Sequence, residues 1–247
     1  MAVSACIAIR RSGLDRGRGL FALFKFREGD RIHAERPQMI LSRGGICPDC
    51  SLTIHENPCD EYYGSSTTRS WFDDVAWKST ATYPTMTARL ILRRFLSGQP
   101  EIPDWLSTLQ SAQMNHINEV HLDWKIFIDI VQQHIRPGSC SISDLFPFET
   151  FARVLGVVHL NSIEIADRAV VVPKLLALMN HSCDPNVQIS DDFVGGNIES
   201  IALKDINPGD ELRISYVDPN LSWQQRRSYL YYMYGFKCDC RRCLAQQ

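Results

Sequence analysis

The sequence predicts an α+β fold in which a helical block interrupts two β-rich stretches. Three observations carry this reading. Residues 1–42 alternate short apolar runs with glycine-rich and charged turns. Residues 43–145 open on Cys, Gly and Pro and then adopt apolar spacings of three and four. From residue 146 the chain passes through one helix and returns to short strands separated by turns.

Taken in order, Val3–Arg11 alternates loosely and reads as a strand. Asp15-Arg16-Gly17-Arg18-Gly19 is a turn, Leu20–Phe24 an apolar strand, and Arg27-Glu28-Gly29-Asp30 a second turn. In the middle block Ala88, Leu92, Phe95 and Leu96 fall on one helical face. Pro103-Asp104 opens a second helix carrying Trp105, Leu106 and Leu109, and Val120–Ile135 is a third. Phe148 to about Val158 is helical. Strands are expected at Ala169–Val172, Val187–Ile189, Ile198–Leu203 and Leu212–Tyr216, with a turn at Pro208-Gly209-Asp210 and a final helix over Trp223–Tyr234. By pattern the chain divides into 1–42, 43–145, 146–220 and 221–247.

Composition excludes some functions. The 247 residues are 45% hydrophobic and 22% charged, and a chain this long can bury a full core. A net charge of −2 provides no general attraction to nucleic acid or anionic membranes. No apolar run reaches the length of a membrane span, and the N-terminus lacks the form of a secretory signal. The nine cysteines are then expected as thiols in a reducing compartment, nucleus or cytoplasm, so clusters of them read first as metal ligands.

Four constellations can carry chemistry. Cys238, Cys240 and Cys243 form a C-x-C-x2-C series whose thiolates can converge on one zinc ion; Cys183 is the best candidate for the fourth ligand. Asn180-His181-Ser182-Cys183-Asp184-Pro185-Asn186 reads as a polar turn after the apolar Leu175–Met179. It leaves open a Cys183–His181 nucleophile–base pair, that is, a thiol hydrolase. Gly209–Tyr216 reads as a turn and a strand ending in tyrosine. In Arg16-Gly17-Arg18-Gly19 the glycines allow backbone to approach a ligand, although a plain hairpin turn fits equally. A further set, Cys47, Cys50, His55 and Cys59, has spacing near that of a one-zinc knuckle.

In combination and in this order, these motifs resemble the SET-domain lysine methyltransferases. Phe148–Val154 followed by Asn161–Ile165 resembles the SET-and-MYND branch. The resemblance covers residues 1–42 and 146–247. It implies a SET β-fold with a knot-like crossing, split by the helical insertion at 43–145 and closed by a zinc-binding post-SET tail. It implies S-adenosylmethionine and zinc as cofactors and a protein lysine, histone or non-histone, as substrate, with no nucleic acid or membrane partner and a monomeric state. By the same resemblance Arg16, Gly17, Arg18, Gly19, Asn161, Asn180, His181, Tyr216 and Phe236 hold the cofactor. Tyr216 and Tyr234 line the lysine channel, and Cys183, Cys238, Cys240 and Cys243 bind the zinc. Arg18 stands where the branch commonly has asparagine. The long cysteine series of a MYND finger is absent or reduced to Cys47–Cys59, so MYND-type partner binding is not carried over. A SET-like scaffold without catalysis is the competing reading.

Overall fold

The computed structural model describes residues 6–13, 17–42, 82–99, 101–112, 117–136, 141–166, 169–193 and 196–246. Two compact units emerge, one formed by 1–37 with 173–247 and the other by 38–172. Mixed α and β structure is present, as expected.

The first unit contains two small sheets. In one, β1 (Ile7–Arg11) and β2 (Arg18–Ala22) are antiparallel. The strand β10 (Glu211–Ile214) lies against β2 and pairs in parallel with the two-residue β7 (Asn180–His181). The other sheet orders β3 (Arg31–Glu35), β9 (Ile198–Ala202) and β8 (Val187–Ile189). Along β9 alternate residues Ile198, Ser200 and Ala202 are buried, the period-two pattern of a sheet with one face covered. Two glycines make the turns tight: Gly17 and Gly209 have φ of 68° and 91°, where a Cβ is disfavoured.

Glu35, at the end of β3, organises the chain that leads to β7. Its carboxylate accepts from the backbone N–H groups of Lys174, Leu175 and Leu176, capping a single 3₁₀ turn over Leu176–Leu178. Leu176 and Met179 are thereby buried and the chain delivers Asn180 to the edge of the sheet. The unit ends in α6 (Trp223–Tyr234), started by a Ser222–Gln225 capping box and stopped by Gly235 in the left-handed conformation. The short α7 (Arg241–Leu244) follows.

The second unit holds the helices α1 (Thr82–Leu96), α2 (Asp104–Ser107), α3 (Ile117–His134), α4 (Ile142–Leu145) and α5 (Phe148–Asn161). Its sheet has the order β4 (Met39–Ser42), β6 (Ala169–Val172) and β5 (Ile163–Ile165). Leu92, Phe127, Val131, Phe146, Phe151 and Leu155 are among its core. Trp124 donates its indole N–H to the Phe146 carbonyl at 2.8 Å, which fixes α3 against the α4–α5 turn.

Several expectations shift. The apolar stretch Leu20–Phe24 begins its strand at Arg18 and leaves it after Ala22; Phe24 is 58% exposed. Leu96, expected on the buried face, is 49% exposed at the fraying end of α1. The helix after Pro103 is one turn only. The strand expected to end at Tyr216 ends at Ile214, because the Tyr216 N–H bonds a histidine ring instead of a strand partner. The helix beginning at Phe148 runs on to Asn161.

Candidate functional site

The parallel pairing of β7 and β10 brings two of the sequence motifs together. In register, Arg213 faces Asn180 and Ile214 faces His181. The glycine turn joins through β2, where Gly19 approaches so closely that a Cβ on it would lie 2.6 Å from Glu211 Oε1 and 2.8 Å from Asn180 Nδ2. Asn180 donates its amide hydrogens to Glu211 Oε1 at 2.7 Å and to the Arg18 carbonyl at 3.2 Å. Its side-chain oxygen is then left to accept from a ligand.

Glu211 is the anchor of this arrangement. It accepts from Ser12 Oγ and from the Arg213 guanidinium as well as from Asn180. Burial alone would raise its pKa, but these donors outweigh burial and hold the carboxyl below its ordinary value. A depressed folded-state pKa adds stability above the unfolded pKa, and this is lost as pH falls through the folded one. Glu211→Gln should therefore cost about 1–3 kcal/mol at neutral pH. Its urea-unfolding stability should converge on that of the parent as pH falls below the ordinary carboxyl range and through the depressed folded-state pKa; a gap independent of pH would refute this role for the charge.

Tyr216 sits just past β10 and is held from both ends. Its backbone N–H donates to His181 Nδ1 at 3.0 Å, and its hydroxyl donates to the Met179 carbonyl at 2.5 Å. Burial, with Tyr234 and Glu211 nearby, keeps the phenol pKa well above its usual value, so the hydroxyl stays protonated. The Tyr234 ring lies 4.9 Å from that of Tyr216, while His181 lies 5.3 Å from Tyr216 and 5.8 Å from Phe236. Four of the predicted residues thus form one aromatic cluster.

The cysteines converge as expected. The sulfurs of Cys183, Cys238, Cys240 and Cys243 all lie within 4.8 Å of one another, and Cys183 and Cys243 are 3.5 Å apart. Tetrahedral zinc with bonds of about 2.3 Å separates its sulfurs by about 3.8 Å, so the set fits one such ion. Burial pushes the Cys183, Cys238 and Cys243 thiols up; at Cys240 burial is outweighed by hydrogen bonds from Cys243 and its other neighbours, and the thiol is lowered.

The geometry removes the nucleophile–base reading of His181 and Cys183. His181 Nδ1 already accepts from Tyr216, so in the neutral ring the proton is on Nε2, 3.2 Å from Cys183 Sγ. The imidazole faces the sulfur as a donor, and no basic lone pair points at it.

Of the remaining expected residues, Gly17 closes the β1–β2 turn through its carbonyl to Ser12 N–H, and Arg18 opens β2. Asn161 ends α5 in the second unit, its amide hydrogens donated to the Gln110 and Val157 carbonyls. Arg16, Cys47, Cys50, His55 and Cys59 lie outside the described residues. Sequence reasoning missed the Met179 carbonyl, Ser12 and the ordering role of Glu211. Only Glu211 left a signal, being inside a motif already singled out.

The SET-domain family model matches residues 17–217, from the glycine turn to just beyond Tyr216. The chain belongs to the SET-domain family. Among curated relatives, this SET domain is 33% identical to a SET and MYND domain-containing protein of Dictyostelium discoideum, over 50% of this chain and 40% of that protein. It is 28% identical to human histone-lysine N-methyltransferase SMYD3, over 94% of this chain and 60% of that protein. It therefore spans only 40% and 60% of the length of these two relatives. These names accord with the expected SET-and-MYND resemblance. Among solved structures, the SET domain of LSMT bound to lysine and AdoHcy matches with a TM-score of 0.55 at 16% identity, covering 96% of this chain and 54% of that one. That likeness extends the agreement in fold to nearly the whole chain.

Proposed function

We propose that this SET domain is an S-adenosylmethionine-dependent protein-lysine N-methyltransferase with one structural zinc ion. The observation that carries the reading is Tyr216, a half-buried, protonated tyrosine whose hydroxyl is pinned to the Met179 carbonyl beside Tyr234, one strand pairing away from Asn180 and His181. Family membership and the methyltransferase names of its relatives support it.

The residues fit the cofactor. The free Asn180 side-chain oxygen suits an ammonium group, the glycine turn over Gly17–Gly19 with Arg18 lets backbone approach, and Phe236 beside His181 offers a ring face to a flat heterocycle, while Arg16 belongs to the set by resemblance alone. Asn161 joins this set by resemblance. When bound, S-adenosylmethionine supplies an activated methyl group.

The protein's task is then alignment. A lysine amine has a pKa near 10.4 in water, and aromatic walls such as Tyr216 and Tyr234 disfavour its charged form and lower that value. Because the Tyr216 hydroxyl proton is committed to Met179, its oxygen lone pairs remain to orient the neutral amine and to accept weak C–H contacts. With its pKa raised, Tyr216 is an orienting group and not a base. The substrate is a protein presenting a lysine, in the nucleus or the cytoplasm.

Isothermal titration with S-adenosylmethionine, followed by a peptide array with labelled cofactor, tests the proposal. Stoichiometric binding and label on lysine peptides are expected. Absence of cofactor binding in folded protein would favour a scaffold; binding without transfer to any peptide or protein extract would reject the enzyme reading.

A further inference from the structure

Arg226 has no part in the chemistry above, yet it is 1% exposed and is the only lysine or arginine buried among the described residues. It lies on α6 in a stretch, Trp223-Gln224-Gln225-Arg226-Arg227, that otherwise resembles a solvent face. The oxygens that accept from it are neutral: the Leu221 carbonyl and Gln246 Oε1, the latter at 2.8 Å. The Nε–H is buried without an acceptor. A guanidinium enclosed in this way is costly unless negative charge lies beside it.

That charge is available at the cysteine cluster. Cys183, Cys240 and Cys243 belong to the same buried core as Leu230, one helical turn from Arg226. Four thiolates around a divalent ion carry a net charge of −2, and enclosing that charge is equally costly without a cation. Arg242, which donates to the Cys183 carbonyl at 2.9 Å, offsets part of that charge, and Arg226 is the fully buried cation beside it.

Resting on the zinc reading above, we propose that Arg226 and His181 form the outer shell of the metal centre, Arg226 donating to the Cys183 and Cys243 sulfurs and His181 Nε2–H to Cys183. In support, the guanidinium interacts with both the Cys183 and the Cys243 sulfurs. His181 is oriented for the task because the Tyr216 N–H occupies its other nitrogen. Metal ligands held by outer-shell donors keep their geometry, and the same donors lower the energy of the sulfur lone pairs. His181 has a second consequence, since it joins the Cys183 sulfur directly to the backbone of Tyr216.

Cobalt(II) substitution tests the assignment in the whole chain. In Arg226→Gln and in Arg226→Lys the thiolate-to-cobalt charge-transfer band should move to longer wavelength, because fewer N–H donors leave the sulfur electrons higher in energy. Chelator competition should show zinc affinity lower by about 10- to 100-fold in Arg226→Gln, with Arg226→Lys between it and the parent. Should Arg226→Gln fail to fold, Arg226→Lys carries both readouts with the same signs. An unmoved band overturns the proposal whatever the affinity, since it would make Arg226 a packing residue only. A folded parent protein that takes up neither zinc nor cobalt would defeat the zinc reading itself, and the outer shell with it.

Discussion

Tyr216→Phe should lower single-turnover methyl transfer by about 100-fold or more while leaving S-adenosylmethionine affinity nearly unchanged. The magnitude is that of removing one preorganised polar group from a reacting centre. Phenylalanine keeps the ring, its 4.9 Å packing on Tyr234 and the backbone bond to His181 Nδ1. Only the hydroxyl goes, and with it the donor to Met179. Leaving that carbonyl unpaired should cost about 1 kcal/mol of stability. A group that orients the amine in the transition state affects turnover more than ground-state binding. Rapid-quench methylation and calorimetric titration on parent and variant decide the matter. Unchanged turnover would remove Tyr216 from the mechanism, and lost cofactor affinity would recast it as a binding residue.

Removing the metal should have the largest effect on stability. Chelation, or Cys240→Ser, should lower stability by about 5 kcal/mol or more, because binding energy at a structural zinc site is folding energy. For a chain of this size that corresponds to about 10–20 °C in Tm. Hydrogen exchange should accelerate first in 238–246, which the cysteines tie to Cys183. It should then reach Tyr216 through His181. Because burial keeps most of these thiols protonated without an ion, uptake of zinc must release protons, and its affinity should fall as pH falls. Elemental analysis finding folded, active protein without zinc, or a chelator-treated sample with unchanged Tm, would reject the site.

Local chemistry made much of this legible. Gly17 and Gly209 mark turns because their positive φ is nearly a glycine privilege. The C-x-C-x2-C series pointed to its own ligand role, since three thiols so closely spaced can converge without help from the rest of the fold.

Residues whose partners are distant in the chain were less legible. The strand after the glycine turn starts at Arg18 because β1 pairs with it there, and apolarity alone placed it two residues late. His181 looked like a base until the Tyr216 N–H, 35 residues away, occupied its Nδ1.

By itself, then, the sequence determined the element types, the tight turns, the three clustered C-terminal thiols and the motifs that mark a SET domain, because these depend on residues within a few positions of one another or on short patterns. Tertiary structure alone decided that Glu211 orders Asn180, that Tyr216 is tied to Met179, and that Arg226 is buried beside the thiols. Each of these is a polar group whose role is set by which partner satisfies its hydrogen bonds or its charge, and that partner is chosen only when strands and helices remote in sequence pack together.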